Sequence, residues 1–322
     1  MRSYRLKKCK RVHDIHFTSD GTRLLAVGGD EVRMVDYAVW LDLATGETVG
    51  RIDQFAQCYA VPADLSRFVL GDALQGRGWV GIASVQWTPL SGPVEWRKFP
   101  SKTQAAPPNF RDVVGLAFDP TGTRLAISHS RRAGVRSNPN RTACAVTVVD
   151  RDTGETVADV GTGDEPATVM AFSVDGTQLA VTGGVDGNPD TQCYSLATGE
   201  LRHSLGWPGT VTRCVRFLPE NRFLVANGRC VYVWSLERGE ELFTLSGHPK
   251  QVNAVALTPD GRRLLTASHD GSIRTWDANT GEPGGAFDWN IGAVTALAFA
   301  PDGLTCAAAG LNGKIVVWDV DG

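Results

Sequence analysis

The sequence predicts an all-β fold built from seven copies of one repeating unit. Apolar runs of four to six residues alternate with turns rich in Gly, Pro, Asp and Asn, which is the pattern of short β-strands. One turn, Pro-Asp-Gly in its clearest form, recurs at intervals of 40 to 57 residues along the chain. A repeat period in this range indicates stacked β units.

The clearest repeat runs from Gly247 to Glu282 and defines the frame. A Gly-His pair opens it, and two strand-like runs, 252–257 and 264–268, flank the turn 259–261. A third run ends in Trp276-Asp277, and a further turn follows at 279–282. Each run is bounded by turn residues, so the unit consists of short strands joined by tight turns.

Equivalent positions of this frame recur throughout the chain. The residue equivalent to Gly261 is Gly21, Leu65, Gly122, Gly176, Asn221 or Gly303 in the other six repeats. The third strand of those repeats ends at Leu41-Asp42, Trp87-Thr88, Val149-Asp150, Tyr194-Ser195, Trp234-Ser235 and Trp318-Asp319. Seven units in register therefore account for residues 1–322 as a single domain.

These residues resemble the WD-repeat family, whose unit is a four-stranded blade of about 40–45 residues with a Gly-His and a Trp-Asp signature. The sixth and seventh repeats match this signature well, the fifth less closely, and the first four in outline. The resemblance implies a seven-bladed β-propeller of four-stranded antiparallel blades. Such blades are apolar on both faces, so they must stack and close into a ring.

The two ends of the sequence indicate how the ring closes. Only residues 319–322 follow Trp318, so the seventh blade lacks an outer strand. Residues 3–8, in which Tyr4 and Leu6 alternate with polar residues, precede the first blade and belong to no repeat. We expect residues 3–8 to supply the missing outer strand, as the ring closure of the family implies.

His248, Ser268 and Asp270 are the residue types of a hydrolytic triad, in which an acid orients the histidine that activates a serine. The resemblance assigns them to a structural hydrogen-bond network instead. The residues that match the network positions of the family are His248, Ser268, Asp270 and Trp276. The seventh repeat has Asn290 and Asn312 in the histidine and aspartate positions, so we expect packing to hold that blade.

Other motifs give no clear sign of a catalytic, cofactor or metal site. His13 and His16 are three apart in a predicted strand, which places them on opposite faces. Residues 186–190 begin like a calcium loop, but Thr191 and Ala197 stand where such a loop needs Gly and Glu. We therefore expect no enzyme activity, no cofactor and no metal. The alternative is a propeller enzyme with its site at the mouth of the central channel.

Loops of the second, third and fourth repeats predict the protein-binding face. Residues 130–142 extend the loop between the second and third strands of the third repeat with four arginines and no acid. In WD-repeat propellers these b–c loops share the usual partner face with the d–a loops. The predicted binding residues are Trp79, Arg131, Arg132, Arg136, Arg141, Asp186 and Asp190. We expect a protein partner with an acidic segment, and the alternative is that these loops are solvated without a dedicated partner.

Composition narrows the class of protein further. A net charge of −3 disfavours nucleic-acid binding through the 131–141 loop, although this stays an alternative. No apolar run approaches 18 residues, so we expect no membrane span. The seven cysteines are an odd number without a C-x-x-C pair. This pattern is typical of reduced thiols, and we expect a cytoplasmic protein.

Overall fold

A computed structural model describes residues 1–6, 11–29, 35–56, 58–62, 65, 68–71, 80–83, 95–97, 110–131, 144–163, 167–183, 190–206 and 211–320. The regular elements within these ranges are all β-strands. The chain groups into two compact units: the first unit is Met1–Phe55 with Leu218–Gly322, and the second unit is Ala56–Phe217.

The strands are numbered in chain order. The first fourteen are β1 (Arg2–Arg5), β2 (Arg11–Phe17), β3 (Arg23–Gly29), β4 (Val35–Asp42), β5 (Thr48–Ala56), β6 (Cys58–Ala60), β7 (Phe68–Gly71), β8 (Val80–Ala83), β9 (Glu95–Arg97), β10 (Phe110–Phe118), β11 (Arg124–Arg131), β12 (Cys144–Asp150), β13 (Thr156–Gly163) and β14 (Ala167–Phe172). The others are β15 (Gln178–Gly183), β16 (Asp190–Ser195), β17 (Leu201–Gly206), β18 (Thr212–Leu218), β19 (Arg222–Asn227), β20 (Cys230–Ser235), β21 (Glu240–Leu245), β22 (Val252–Leu257), β23 (Arg263–Ser268), β24 (Ser272–Asp277), β25 (Pro283–Asp288), β26 (Val294–Phe299), β27 (Thr305–Gly310) and β28 (Lys314–Asp319).

The turn that defines the repeat has the same backbone conformation in all seven copies. Its φ angle is 68° at Gly21, 51° at Leu65, 68° at Gly122, 67° at Gly176, 52° at Asn221, 73° at Gly261 and 69° at Gly303. This left-handed region favours glycine, so Leu65 adopts it at an energetic cost that the turn imposes. The sequence frame is therefore confirmed, including the two repeats that lack the glycine.

The first unit contains three complete antiparallel sheets, with the orders β2–β3–β4–β5, β22–β23–β24–β25 and β26–β27–β28–β1. One buried cluster, which includes Ile15 and Ile315, lies between the first and third of these sheets. Another, which includes Leu265 and Leu297, lies between the second and third. Because the third sheet is covered on both faces, its strand β27 is buried at every position from 306 to 310.

The N-terminal strand completes the sheet of the last repeat. β1 pairs antiparallel with β28 over Arg2–Arg5, whereas the sequence suggested residues 3–8. The Tyr4 hydroxyl and Arg2 Nη1 both donate to the carbonyl oxygen of Leu43, at 2.7 and 2.9 Å. Leu43 follows β4, so the strand is bound to the sheet of the first repeat as well.

The second unit contains three complete antiparallel sheets, with the orders β6–β7–β8–β9, β10–β11–β12–β13 and β14–β15–β16–β17. Buried side chains fill the spaces between them, with Val69 and Leu125 in one cluster and Val148 and Leu179 in the next. The first strands β6, β10 and β14 are neighbours, as are β22, β26 and β2 in the first unit. Sheets stacked face to face around adjacent first strands are the blades of a β-propeller.

Six four-stranded sheets thus lie within one unit or the other. The strands of the fifth repeat, β18–β21, follow the same plan, but the boundary between the units falls at the end of β18. Each unit contains the stacked four-stranded blades of a β-propeller. The arrangement of all seven repeats as one seven-bladed ring stays a prediction.

A β-bulge interrupts the first strand at the same place in five sheets. The residues at the bulges are His13, Val114, Thr168, Asn253 and Thr295. Bulges re-aim a side chain, and two of these reach the neighbouring sheet. Asn253 Nδ2 donates to Val294 O at 2.8 Å, and the Thr295 hydroxyl donates to Val12 O. The bulges therefore bind consecutive sheets of the first unit together.

Bulges also interrupt four of the outer strands, β13, β17, β21 and β25, where each pairs with the third strand of its sheet. The bulged residues include Val157 and Leu242, which are 49% and 38% exposed. Irregular edges resist pairing with other chains. The pairing of β1 with β28 has no such interruption.

The expected end of the third strand of the second repeat, Trp87-Thr88, lies outside the described residues. The described part of this strand, β8, is Val80–Ala83. Its position is fixed by backbone pairing with β7, in which Gly71 lies opposite Val80. Residues 84–94 lie outside the described ranges.

Candidate functional site

A buried chain of hydrogen bonds connects four side chains of the sixth repeat. Trp276 Nε1, on β24, donates to the hydroxyl of Thr266 on β23 at 2.9 Å. That hydroxyl lies 2.8 Å from Nε2 of His248, in the turn before β22. His248 Nδ1 lies 2.9 Å from a carboxylate oxygen of Asp270, in the turn after β23. The network ties both turns to the two central strands.

The hydrogen bonds accommodate a neutral imidazole. The carboxylate of Asp270 can only accept from Nδ1, and the Thr266 hydroxyl, which accepts from Trp276, can donate its own proton to Nε2. Burial is the main cause that lowers the pKa of His248, although Asp270 opposes it. Burial raises the pKa of Asp270, but hydrogen bonds from Ser272 and His248 outweigh it and lower the pKa overall. Both shifts favour neutral histidine beside charged aspartate.

Ser268 does not occupy the network position that we expected from the family resemblance. Its hydroxyl donates to Lys250 O at 3.2 Å and accepts from the backbone of Asp270 at 3.1 Å. The network hydroxyl is that of Thr266, two residues earlier on the same face of β23. In the register of β23 with β24, Thr266 is opposite Arg274 and diagonal to Trp276, within reach of the indole. That diagonal position is the signal that the sequence reading missed.

The hydrogen bonds of His248 leave neither of its ring nitrogens for Ser268. Both ring nitrogens of His248 are bonded, one to Asp270 and one to Thr266. Ser272 lies 3.3 Å from Nδ1, but its hydroxyl donates to Asp270 at 2.6 Å. His248 and Asp270 therefore bind each other, while Ser268 binds the backbone of Lys250 and Asp270, and the three do not form a hydrolytic triad.

Aromatic packing replaces this network in the sheet of the seventh repeat. Trp318 is equivalent to Trp276, but Ala308 is equivalent to Thr266. Trp289 stacks on Phe287 with ring centroids 5.7 Å apart, and both rings lie within 6 Å of Trp318. Nε1 of Trp318 has no hydrogen-bond partner in the described part of the chain. Packing rather than hydrogen bonding thus holds the tryptophan here.

The predicted partner face falls almost entirely outside the described residues. Trp79, Arg132, Arg136, Arg141 and Asp186 are not described. Arg131 ends β11 and Asp190 begins β16, so their backbones lie at the two loops concerned. These seven residues stay a prediction.

The described residues show neither a metal-binding cluster, nor a disulfide, nor a membrane-spanning helix. No group of three or more His, Cys, Asp and Glu side chains there is placed to hold a metal ion. His16 Nε2 instead lies 3.0 Å from Asp14. The five cysteines whose side chains are described, Cys58, Cys193, Cys214, Cys230 and Cys306, form no disulfide, and burial raises the pKa of Cys193 to about 12. None of the described residues forms a helix able to cross a membrane.

Comparison with known proteins agrees with the repeat frame. The family model described as "WD domain, G-beta repeat" matches residues 239–277 and 283–319. An uncharacterized WD repeat-containing protein of Schizosaccharomyces pombe is 31% identical over 234 residues, which are 71% of this chain and 55% of that protein. The chain belongs to the WD-repeat family. The two matched segments contain β24 and β28, the strands that end in Trp-Asp.

Other relatives of this WD-repeat protein are similar over different lengths. WD repeat-containing protein 1 of Xenopus tropicalis is 26% identical over 291 residues, or 84% of this chain and 42% of that protein. Serine-threonine kinase receptor-associated protein of Rattus norvegicus is 36% identical over 115 residues, or 35% of this chain and 31% of that protein. The chain spans about half or less of the length of these relatives.

Proposed function

We propose that this WD-repeat protein is a non-catalytic platform that binds partner proteins. The observation that carries the proposal is the hydrogen-bond network of His248, which uses both of its ring nitrogens to bind Asp270 and Thr266. Because these polar side chains bond to one another within the blade, the surfaces left for other molecules are the loops and the strand edges. One relative is a serine-threonine kinase receptor-associated protein, which is consistent with such a role.

The proposal includes the architecture and location that go with this role. Residues 1–322 form one seven-bladed ring, closed by β1. The protein resides in the cytoplasm, in keeping with its cysteines. Microscopy of the fluorescently tagged protein tests the location, and exclusive labelling of another compartment would contradict it.

The proposed partner face is the b–c and d–a loop rim of repeats two to four. The binding residues are Trp79, Arg131, Arg132, Arg136, Arg141, Asp186 and Asp190. Arginine offers a rigid fork of donors, and tryptophan a large apolar area with little entropy to lose, so both suit interfaces. Cations without neighbouring acids in 131–141 favour an acidic segment of the partner.

Affinity capture from native cells tests this face. The bait is the intact chain, and the variants are Arg132→Glu with Arg136→Glu, and Trp79→Ala. Charge reversal should slow association, whereas Trp79→Ala should mainly speed dissociation. Arg202→Glu with Arg262→Glu is the matched control, since both residues are exposed and the charge change is equal.

Several outcomes would contradict the proposal. A partner that binds all variants equally places the site elsewhere. Capture of nucleic acid that survives protease but not nuclease supports the nucleic-acid alternative. Turnover of a substrate that depends on residues near the channel mouth supports the enzyme alternative.

A further inference from the structure

We propose that the free edge of β1 is a second protein-binding surface, which takes an extended acidic peptide as an added strand. The surface, called the β1 edge below, consists of Ser3, Arg5 and Lys314. It is independent of the loop face proposed above, and either surface can fail without the other.

The backbone of β1 leaves one side open. β1 is the last strand of its sheet, with Tyr4 opposite Ile315 and Arg5 opposite Lys314. The amide of Leu6 donates to Gly313 O at 3.4 Å, which makes that pair a hydrogen-bonded one. Because such pairs alternate in antiparallel sheets, the N–H and C=O groups of Ser3 and Arg5 point away from β28. Among the described residues, no other strand pairs with this side of β1.

The β1 edge also lacks the irregularity of four other outer strands, β13, β17, β21 and β25. Each pairing of β13, β17, β21 and β25 with its third strand contains a register shift, while the four residue pairs of β1 with β28 are continuous. A regular edge is a template for pairing, and charged side chains then decide which strand is accepted.

The charges of this edge are unbalanced. Arg5 lies directly opposite Lys314, in the pair type that brings side chains closest, and like charges in this position repel. No carboxylate of the described residues lies within 4.0 Å of either cation. Ser3 and Arg5 are exposed. An external anion would relieve the repulsion.

These features select the occupant. An added strand presents alternate side chains to one face, so Glu or Asp at every second position meets Arg5 and Lys314 together. Arginine and carboxylate can form two parallel hydrogen bonds, which favours a carboxylate peptide over a diffuse anion. A second copy of this chain would bring cationic edges together, and residues 1–11 carry six cations and no acid.

Fluorescence anisotropy with labelled peptides of about ten residues tests the inference on the full chain. One probe alternates Glu with Val, and the other has Gln in place of Glu. We expect the Glu peptide to bind at least about tenfold more tightly, which corresponds to about 1.4 kcal/mol. Added salt should weaken the Glu peptide selectively.

Variants separate the charge from the backbone. Arg5→Gln with Lys314→Gln should lose about tenfold in affinity for the Glu peptide. Ser3→Pro removes an outward N–H and leaves both cations, since proline is tolerated on edge strands. It should abolish binding, whereas Ser3→Ala and the bulged-strand control Arg202→Gln should not change it. A thermal melt of each variant verifies the fold.

Equal binding by Ser3→Pro and Ser3→Ala would overturn the strand addition. Equal affinity for the Glu and Gln peptides would overturn the acidic specificity. Tighter binding of an oligothymidylate, insensitive to Ser3→Pro, would identify a nucleic-acid surface instead. Dimerisation of the chain that Ser3→Pro prevents would identify a second copy as the occupant.

Discussion

The imidazole of His248 is both donor and acceptor inside one blade, and each role depends on a different neighbour. Its Nδ1 faces Asp270 and its Nε2 faces Thr266, at 2.9 and 2.8 Å. Thr266 is fully buried and serves Trp276 as well. A single hydroxyl thus satisfies two buried nitrogens, which makes it more costly to remove than its size suggests.

Thr266→Val should therefore destabilise the protein by about 1–3 kcal/mol, because the buried Trp276 N–H loses its acceptor and His248 loses its donor. Ser268→Ala, on the same strand, should cost less, since its partners are backbone groups at a turn. The free energy of unfolding from urea titration measures both. Equal costs for the two variants would contradict the assignment of Thr266 to the network.

The neutral state of His248 gives stability a pH dependence. Burial lowers the pKa of His248 in the native protein below its ordinary value of 6.5. As the pH falls through about 6.5, the unfolded chain gains a proton that the native histidine does not, so stability decreases toward the lower native pKa. Asp270, whose native pKa is lowered, contributes stability above about 4 and loses it only at more acidic pH.

Between pH 7.5 and 5.5, the free energy of unfolding should therefore fall for the wild type. His248→Gln should reduce this slope, although the variant is less stable overall. His269→Gln is the control, because His269 is exposed in the adjacent turn, and it should retain the slope. An unchanged slope in His248→Gln would mean that the pKa of this histidine is the same in the native and unfolded states, which would contradict its lowering by burial.

The N-terminal strand β1 links the sheets of the seventh and first repeats. Tyr4 packs beside the cluster that contains Ile15 and Ile315, and its hydroxyl reaches Leu43. Deleting residues 1–5 should lower the free energy of unfolding by several kcal/mol, since it removes buried area and bares the edge of β28. A Met1 deletion is the control. A truncated chain with the wild-type melting temperature would show that β1 contributes nothing.

The elements also show what could be predicted from sequence. The turn frame was predictable because its backbone requires a residue that tolerates positive φ, and the frame located even Leu65 and Asn221. The bulges were not, because the residues at them, such as Val114 and Thr295, share no chemical type. Ser268 was chosen over Thr266 because both lie on one face of β23, and only the register with β24 distinguishes them.

The two compact units of the chain can unfold either together or separately. If residues 1–322 form one ring as proposed, removing any blade exposes the faces of its neighbours, and the chain should unfold in a single transition. Tryptophan fluorescence and far-ultraviolet circular dichroism should give coincident urea midpoints. Two separate transitions would instead indicate that each unit folds alone.

The pairing of Arg2 with Val317 has a consequence for biosynthesis. β1 leaves the ribosome long before β28 has been made, so its partner edge is absent while the intervening sheets are forming. Contacts so distant in sequence form slowly, because closing the long intervening loop costs conformational entropy before the contacts can stabilise the chain. During that interval, we expect the like charges of Arg2 and Arg5 on neighbouring nascent chains to disfavour the pairing of one β1 with another.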